Sequence, residues 1–281
     1  MALPADSHVH SEWSWDAQAG DMERTCARAV EIGLPAIAFT EHLDHTVWRL
    51  DLAGPYASAQ LTSVAGPDGV VRPPAFDAAG YLAAVEHCRD RFPSLRILSG
   101  VEMGEPHWHA AACAGVLGQG RFDRVLGSLH CLPDQGGFAE PFDVFRHRDA
   151  PGVLREYLAG VVDLVTTSDL FEVLAHIDYP VRFWPEATAG RFAAGAFEEE
   201  FRAALRATAR SGRALEINTR VPLHGIILTW WREEGGDAVT FGSDAHAPEA
   251  VGDGFADAVR MAEAHGFRPG RHPYECWRRA E

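Results

Sequence analysis

His8 and His10 are separated by one residue, so on an extended segment both imidazoles face the same side and can share a metal ion. Gly242-Ser243-Asp244-Ala245-His246 repeats that spacing with one carboxylate and one imidazole. Asp16 follows the first pair at short range, and a turn there brings a carboxylate beside the two histidines. Each pair has a plain alternative: H-x-H occurs by chance on exposed chain, and Asp244 can cap a helix. Nitrogen and oxygen donors of these types suit Zn, Fe or Mn, and paired cations of that class activate water for hydrolysis.

The donors recur in phase with short apolar runs. The N-terminal segment leads to His8 and His10, Ala36–Thr40 to Glu41 and His42, and Ile97–Val101 to Glu102. Val125–Leu129 leads to His130, Val173–Ala175 to His176, Ala214–Ile217 to Asn218, and Val239–Ser243 to Asp244 and His246. Parallel strands pointing at one face produce this phase relation, and in a closed barrel the first and last strands become neighbours.

Between the runs lie helical patterns at Asp21–Gly33, Tyr81–Arg91, Val153–Thr166, Phe197–Ser211 and Asp257–Gly266. The first is clear, with Asp21 as a cap, Met22, Cys26, Ala29 and Val30 on one face and Gly33 as a stop. Alternating helix and strand patterns imply parallel pairing with right-handed crossovers. No linker divides the chain, so residues 1–281 are expected to form a single α/β barrel-like domain. Residues 45–76, with Gly54-Pro55, Gly66-Pro67-Asp68-Gly69 and Pro73-Pro74, break the rhythm directly after His42. They form either a lid over a site or a surface excursion.

Glu102 ends a run too apolar for a solvated face, so its carboxylate needs a partner. A bridge between two cations is one partner and an arginine is the other. His42, His130 and His176 are each open to a reading as satisfied core histidines. Arg182 and Arg220 lie just beyond strand ends and are either surface arginines or a bidentate grip on phosphate oxygens. His224 is a candidate to approach substrate. Trp13, Trp15, Trp108 and Trp184 are near proposed ligands, where core packing or stacking on a flat substrate ring are both open. His107 and His109 imitate H-x-H but follow Glu102 too late to occupy a strand tip.

The charge balance of 25 Lys and Arg against 40 Asp and Glu gives −15, which lacks the cationic field that a nucleic-acid backbone requires. Bound cations offset that charge locally, so a phosphorylated small molecule remains compatible with it. Cys26, Cys88, Cys113, Cys131 and Cys276 are odd in number and lack a C-x-x-C pair, against a disulfide framework or thiolate zinc site. The N-terminal residues have no secretory pattern and no apolar run reaches membrane-spanning length. A soluble cytoplasmic protein without a membrane partner is expected; oligomeric state is not legible.

The ordered motifs Ser7-His8-Val9-His10-Ser11, Thr40-Glu41-His42, Gly100-Val101-Glu102, Gly127-Ser128-Leu129-His130, Ala175-His176-Ile177-Asp178 and Gly242-Ser243-Asp244-Ala245-His246 resemble the polymerase-and-histidinol-phosphatase (PHP) superfamily. Tyr81–Arg91 and Glu216-Ile217-Asn218-Thr219 are most similar to its histidinol-phosphate phosphatases. The resemblance implies a distorted (β/α)7 TIM-like barrel holding two to three divalent metal ions. It places His8, His10, Asp16, His42, Glu102, His130, His176, Asp244 and His246 at ligand positions. The stretch Thr219-Arg220-Val221-Pro222-Leu223-His224 departs from the phosphatase pattern, which has a serine-glycine stretch before the arginine.

The implied reaction is phosphate-monoester hydrolysis, of L-histidinol phosphate in histidine biosynthesis. Glu102 bridges two metals that lower the pKa of a shared water, and Arg182 and Arg220 stabilise phosphoryl charge. Asp178 or Asp16 is the candidate proton donor to the leaving alkoxide. A broader phosphoesterase acting on nucleotides or other small phosphates, and a metal-binding module without turnover, are the alternatives.

Overall fold

The seven apolar runs form seven parallel strands: β1 (Asp6–Val9), β2 (Ala36–Leu43), β3 (Arg96–Gly104), β4 (Arg124–Ser128), β5 (Val173–Leu174), β6 (Ala214–Asn218) and β7 (Ala238–Gly242). The computed structural model describes residues 3–221 and 223–280. Each strand pairs in parallel with the next in chain order. The sheet curls until the exits of β1 and β7 meet, where Val9 and Ala245 form a parallel bridge. There Asp244 N donates to His8 O and His10 N to Ala245 O, both at 2.8 Å. Asp6 fastens this junction, accepting hydrogen bonds from Ser243 N (3.0 Å), Ser243 Oγ (2.6 Å) and Gly252 N (3.1 Å). The fold is a distorted TIM-like barrel, as expected from the resemblance.

The connecting helices are α1 (Met22–Glu31), α2 (Ala78–Arg91), α3 (Ala110–Leu117), α4 (Ala150–Thr167), α5 (Glu198–Arg210), α6 (Gly225–Glu233) and α7 (Phe255–Ala264). In α1 the Asp21 side chain accepts from Arg24 N, Met22, Thr25, Cys26 and Ala29 are buried at helical spacing, and Gly33 leaves with φ +76°. Helix α2 starts three residues before Tyr81 because Asp77 caps Gly80 N. Helix α3 carries no periodic signal: its sequence is apolar around the whole circumference and only Cys113 is buried.

Residues 45–76 pack as a small structured wall. Trp48–Arg49 pairs antiparallel with Val70–Val71 around the short helix Ala59–Val64. Trp48, Leu50 and Val71 bury against Cys131 and Phe142. The last strand, Trp277–Arg279, runs antiparallel to β7 at Ala238 and Val239, an addition that the alternating pattern does not foretell. All five cysteines are free thiols. No described helix is long and apolar enough to cross a membrane.

Candidate metal centre

The strand register brings the donors together. His42 on β2 lies opposite Glu102 on β3, and both strands continue beyond these residues, to Leu43 and Gly104. Main-chain bonds between the exits of β1 and β7 set His8 and His10 beside Asp244. His8 Nε2 and His10 Nε2 are 3.0 Å apart, as their i, i+2 spacing on extended chain requires. Glu102 Oε2 is 3.2 Å from His8 Nε2 and 3.4 Å from His10 Nε2, and Asp244 Oδ1 is 3.5 Å from His10 Nε2. His8 Nε2, His10 Nε2 and Asp244 Oδ1, with Asp244 Oδ1 3.9 Å from His8 Nε2, form one compact donor group, and such separations suit donors about 2.0–2.1 Å from a shared zinc ion.

Glu102 faces a second group with its other oxygen. Its Oε1 is 2.6 Å from His176 Nε2 and 3.2 Å from His130 Nε2. A third group surrounds Asp16, with Oδ1 3.4 Å from His42 Nε2 and Oδ2 3.3 Å from His246 Nε2. Asp16 Oδ1 and Asp44 Oδ1 are buried without hydrogen-bond partners, and orphaned acceptors beside imidazoles fit a cation in the gap. His176 and Asp244 adopt positive φ (21° and 54°), a strained backbone that turns both side chains at strand exits.

Charge suits the same use. Burial works to raise the Glu102 carboxyl, yet the His8 and His130 imidazoles hold it well below the usual carboxylate range. Asp244 is likewise opposed by burial and held well below that range, chiefly by the Arg182 guanidinium. Deprotonated carboxylates are what a divalent metal site needs.

Above this floor opens a cavity of about 850 Å³, lined by Glu102, His130, His176, Asp244 and His246, with Arg182 and Arg220 on its wall. Arg182 Nη2 donates to Asp244 Oδ2 at 2.5 Å, and its guanidinium lies 4.9 Å from the Tyr179 ring centroid. Arg220 Nη1 is 3.3 Å from Asp244 Oδ1 and 3.1 Å from His246 Nδ1. Two guanidinium groups thus converge beside the donor cluster.

A model of the PHP domain matches residues 6–220. The chain belongs to the PHP-domain family. This PHP chain is 29% identical to the probable histidinol-phosphatase of Deinococcus radiodurans, across 94% of both sequences. It is 26% identical to the histidinol-phosphatase of Lactococcus lactis over 86% of this chain and 83% of that protein. In fold it is similar to the crystal structure of histidinol phosphate phosphatase from Lactococcus lactis complexed with zinc, L-histidinol and phosphate (TM-score 0.77, 22% identity, 98% of each chain covered).

Not every expected residue of this PHP chain reaches the site. His224 is exposed at the start of α6, its ring 5.2 Å edge-on to Phe192, and it does not line the cavity. Its neighbour Leu223 is buried and draws the chain away from the site, while Pro222 lies outside the described residues. Asp178 is also off the cavity wall: after His176 the chain enters a 3-10 turn, Tyr179–Phe183, that presents Tyr179 and Arg182 instead. Burial pushes Asp178 up to about 6. Asp16 does line the cavity, and His42 and His246 overcome its burial and hold it well below its usual value.

Of the four tryptophans singled out, only Trp15 lines the cavity, donating from Nε1 to Asp44 Oδ2 at 2.9 Å. Trp13 packs edge-on to Tyr81, Trp184 against Phe145 and Phe192, and Trp108 against Phe138. His107 and His109 are off the cavity, with His109 bound to Thr46 Oγ1 at 2.9 Å.

Several partners of these donors are not among the expected site residues. Glu216 Oε1 is 2.7 Å from His8 Nδ1, the kind of outer carboxylate that fixes a ligating imidazole. Ser14 Oγ lies 2.9 Å from His10 Nδ1 and donates to Glu41 Oε2 at 2.6 Å, orienting the second histidine. Asp44 sits between His42 and His130, 3.7 and 3.5 Å away. Glu105 Oε1 accepts from the main-chain N–H groups of His130 and Cys131, which fixes the loop carrying His130.

Proposed function

We propose that this PHP chain is a phosphate monoesterase dependent on two to three divalent cations, with L-histidinol phosphate as substrate and L-histidinol and phosphate as products, a step of histidine biosynthesis. The observation that carries the reading is the meeting of four overlapping groups of oxygen and nitrogen donors, one of them containing Glu102, with two arginines at one cavity. The substrate assignment is supported by the names of the relatives, which match this chain almost end to end.

His8, His10, Glu102 and Asp244 would hold one cation, Glu102, His130 and His176 a second, and Asp16, His42 and His246 a third. Divalent ions bound there would supply a nucleophilic water at neutral pH and positive charge against the phosphoryl oxygens. Arg182 and Arg220 grip the phosphoryl group from the side, and their forked N–H groups match two of its oxygens at once. Arg182 is preorganised for that grip, because its pairing with Asp244 and stacking on Tyr179 fix the guanidinium before substrate arrives. Phosphoryl transfer leaves little covalent work for the side chains, so this positioning is their main contribution.

A phosphate-release screen over L-histidinol phosphate, nucleotides and sugar phosphates tests the assignment. Histidinol phosphate should be turned over with the highest kcat/KM. Activity on nucleotides with none on histidinol phosphate would replace the proposal with a broader phosphoesterase, and no release from any of them would point to a metal-binding module.

A further inference from the structure

Cys26 and Cys88 lie far apart in sequence, but the fold sets them against each other. Cys26 belongs to the buried face of α1, with Met22, Thr25 and Ala29, and Cys88 to the buried face of α2, with Tyr81 and Val85. Helix α1 leans on β2 and α2 on β3, and the two helices touch. At their rim Glu23 of α1 pairs with His87 and Arg91 of α2, both at 3.1 Å. One helical turn from Glu23 stands Cys26, and one turn from Arg91 stands Cys88. There the two thiols meet and share a hydrogen bond.

That bond makes the thiols unequal. Cys26 donates its S–H, so Cys88 is lowered from the usual thiol value, first by this bond and against its burial, while Cys26 is pushed up. Cys113 and Cys131 show the ordinary fate of a buried thiol: burial raises each, and nearby carboxylates raise it further. The thiolate is the form that oxidants attack, and susceptibility follows thiolate character and exposure. Cys88 has more of both, being 2% exposed where Cys26 is wholly buried.

We propose that Cys26 and Cys88 form a reversible modification site, at which a peroxide oxidises the two thiols to a disulfide that braces α1 against α2. The Cys88 thiolate attacks one oxygen of hydrogen peroxide, the O–O bond breaks with loss of hydroxide, and a sulfenic acid remains. The Cys26 sulfur then attacks the sulfenic sulfur, the S–O bond breaks, and the oxygen leaves as water with the thiol's proton. Two thiols lose two electrons and two protons, and one peroxide becomes two waters. A dithiol reductant reverses the step by thiol–disulfide exchange. The bridge closes a loop of about 60 residues that contains β2 with His42 and the wall at 45–76. The site lies off the cavity and is independent of the phosphatase reading.

The test treats zinc-loaded, dithiothreitol-reduced protein with hydrogen peroxide, titrates free thiols in denaturant and maps the unreduced peptides by mass spectrometry. The thiol count should fall from five to three, with Cys26 and Cys88 in one linked peptide pair, and dithiothreitol should restore all five. The bridged protein should melt about 5–10 °C above the reduced form, because the constraint acts on a long loop of the unfolded chain. Cys26→Ala should lose both bridge and shift and leave Cys88 as a sulfenic acid that dimedone traps, with circular dichroism showing that the variant is folded. The bridge itself is read in wild type, so a variant that fails to fold leaves the outcome decided there. Five thiols after peroxide, bridges to other cysteines, or sulfinic acids at Cys26 and Cys88 without a linked peptide each overturn the proposal. A bridge that forms only in denatured protein does the same, and a bridged protein that melts with the reduced form overturns the brace.

Discussion

Glu102 faces His176 with one oxygen and His8 with the other: Oε1 lies 2.6 Å from His176 Nε2, and Oε2 lies 3.2 Å from His8 Nε2. One buried carboxylate thereby joins imidazoles from β1 and from the exit of β5, on opposite sides of the curled sheet. Replacing it with glutamine keeps the shape and removes the charge that two cations would share. Glu102→Gln should lower kcat by at least about 10³-fold, because several kcal/mol of charge stabilisation is lost. The circular dichroism spectrum should stay that of wild type. Wild-type turnover by this variant would remove Glu102 from the centre of the mechanism.

Glu216 holds the imidazole of His8, so a metal bound by His8 would feel its charge. Glu216→Gln keeps a partner for Nδ1 but loses the carboxylate charge, and outer carboxylates of this kind affect metal affinity by about 10- to 100-fold. Titration of the stripped variant with zinc should show one site weakened on that scale. Unaltered affinities at every site would mean that the 2.7 Å contact is structural only.

The two arginines should separate in stability. Arg182 is nearly buried against Asp244, so Arg182→Met removes the shortest ion pair of that carboxylate and should lower both activity and melting temperature. Arg220 is half exposed, and Arg220→Ala should raise KM with the melting temperature within about 2 °C of wild type, the range of surface substitutions. Thermal scans beside kinetics distinguish these outcomes.

The barrel is legible in the sequence because each strand ends in a donor, and the donor set is legible because i, i+2 spacing on extended chain forces His8 to meet His10. Glu216 is open to the same argument as Glu102, a carboxylate inside an apolar strand, and Asp44 repeats the i, i+2 relation to His42. Glu216 opens the stretch Glu216-Ile217-Asn218-Thr219 but lies two residues before the strand end where a donor is expected, and no motif includes Asp44. His224 shows the converse error. Nearness in sequence to Arg220 implies nearness in space, but burial of Leu223 turns the chain into α6 and away from the cavity.

The most direct measurement is phosphate release from L-histidinol phosphate by chelator-stripped protein as zinc, iron(II) or manganese is added back. Activity should be absent at the start, rise with added metal and saturate at more than one equivalent per chain. Full activity in protein shown by elemental analysis to be metal-free would contradict a metal-dependent phosphatase.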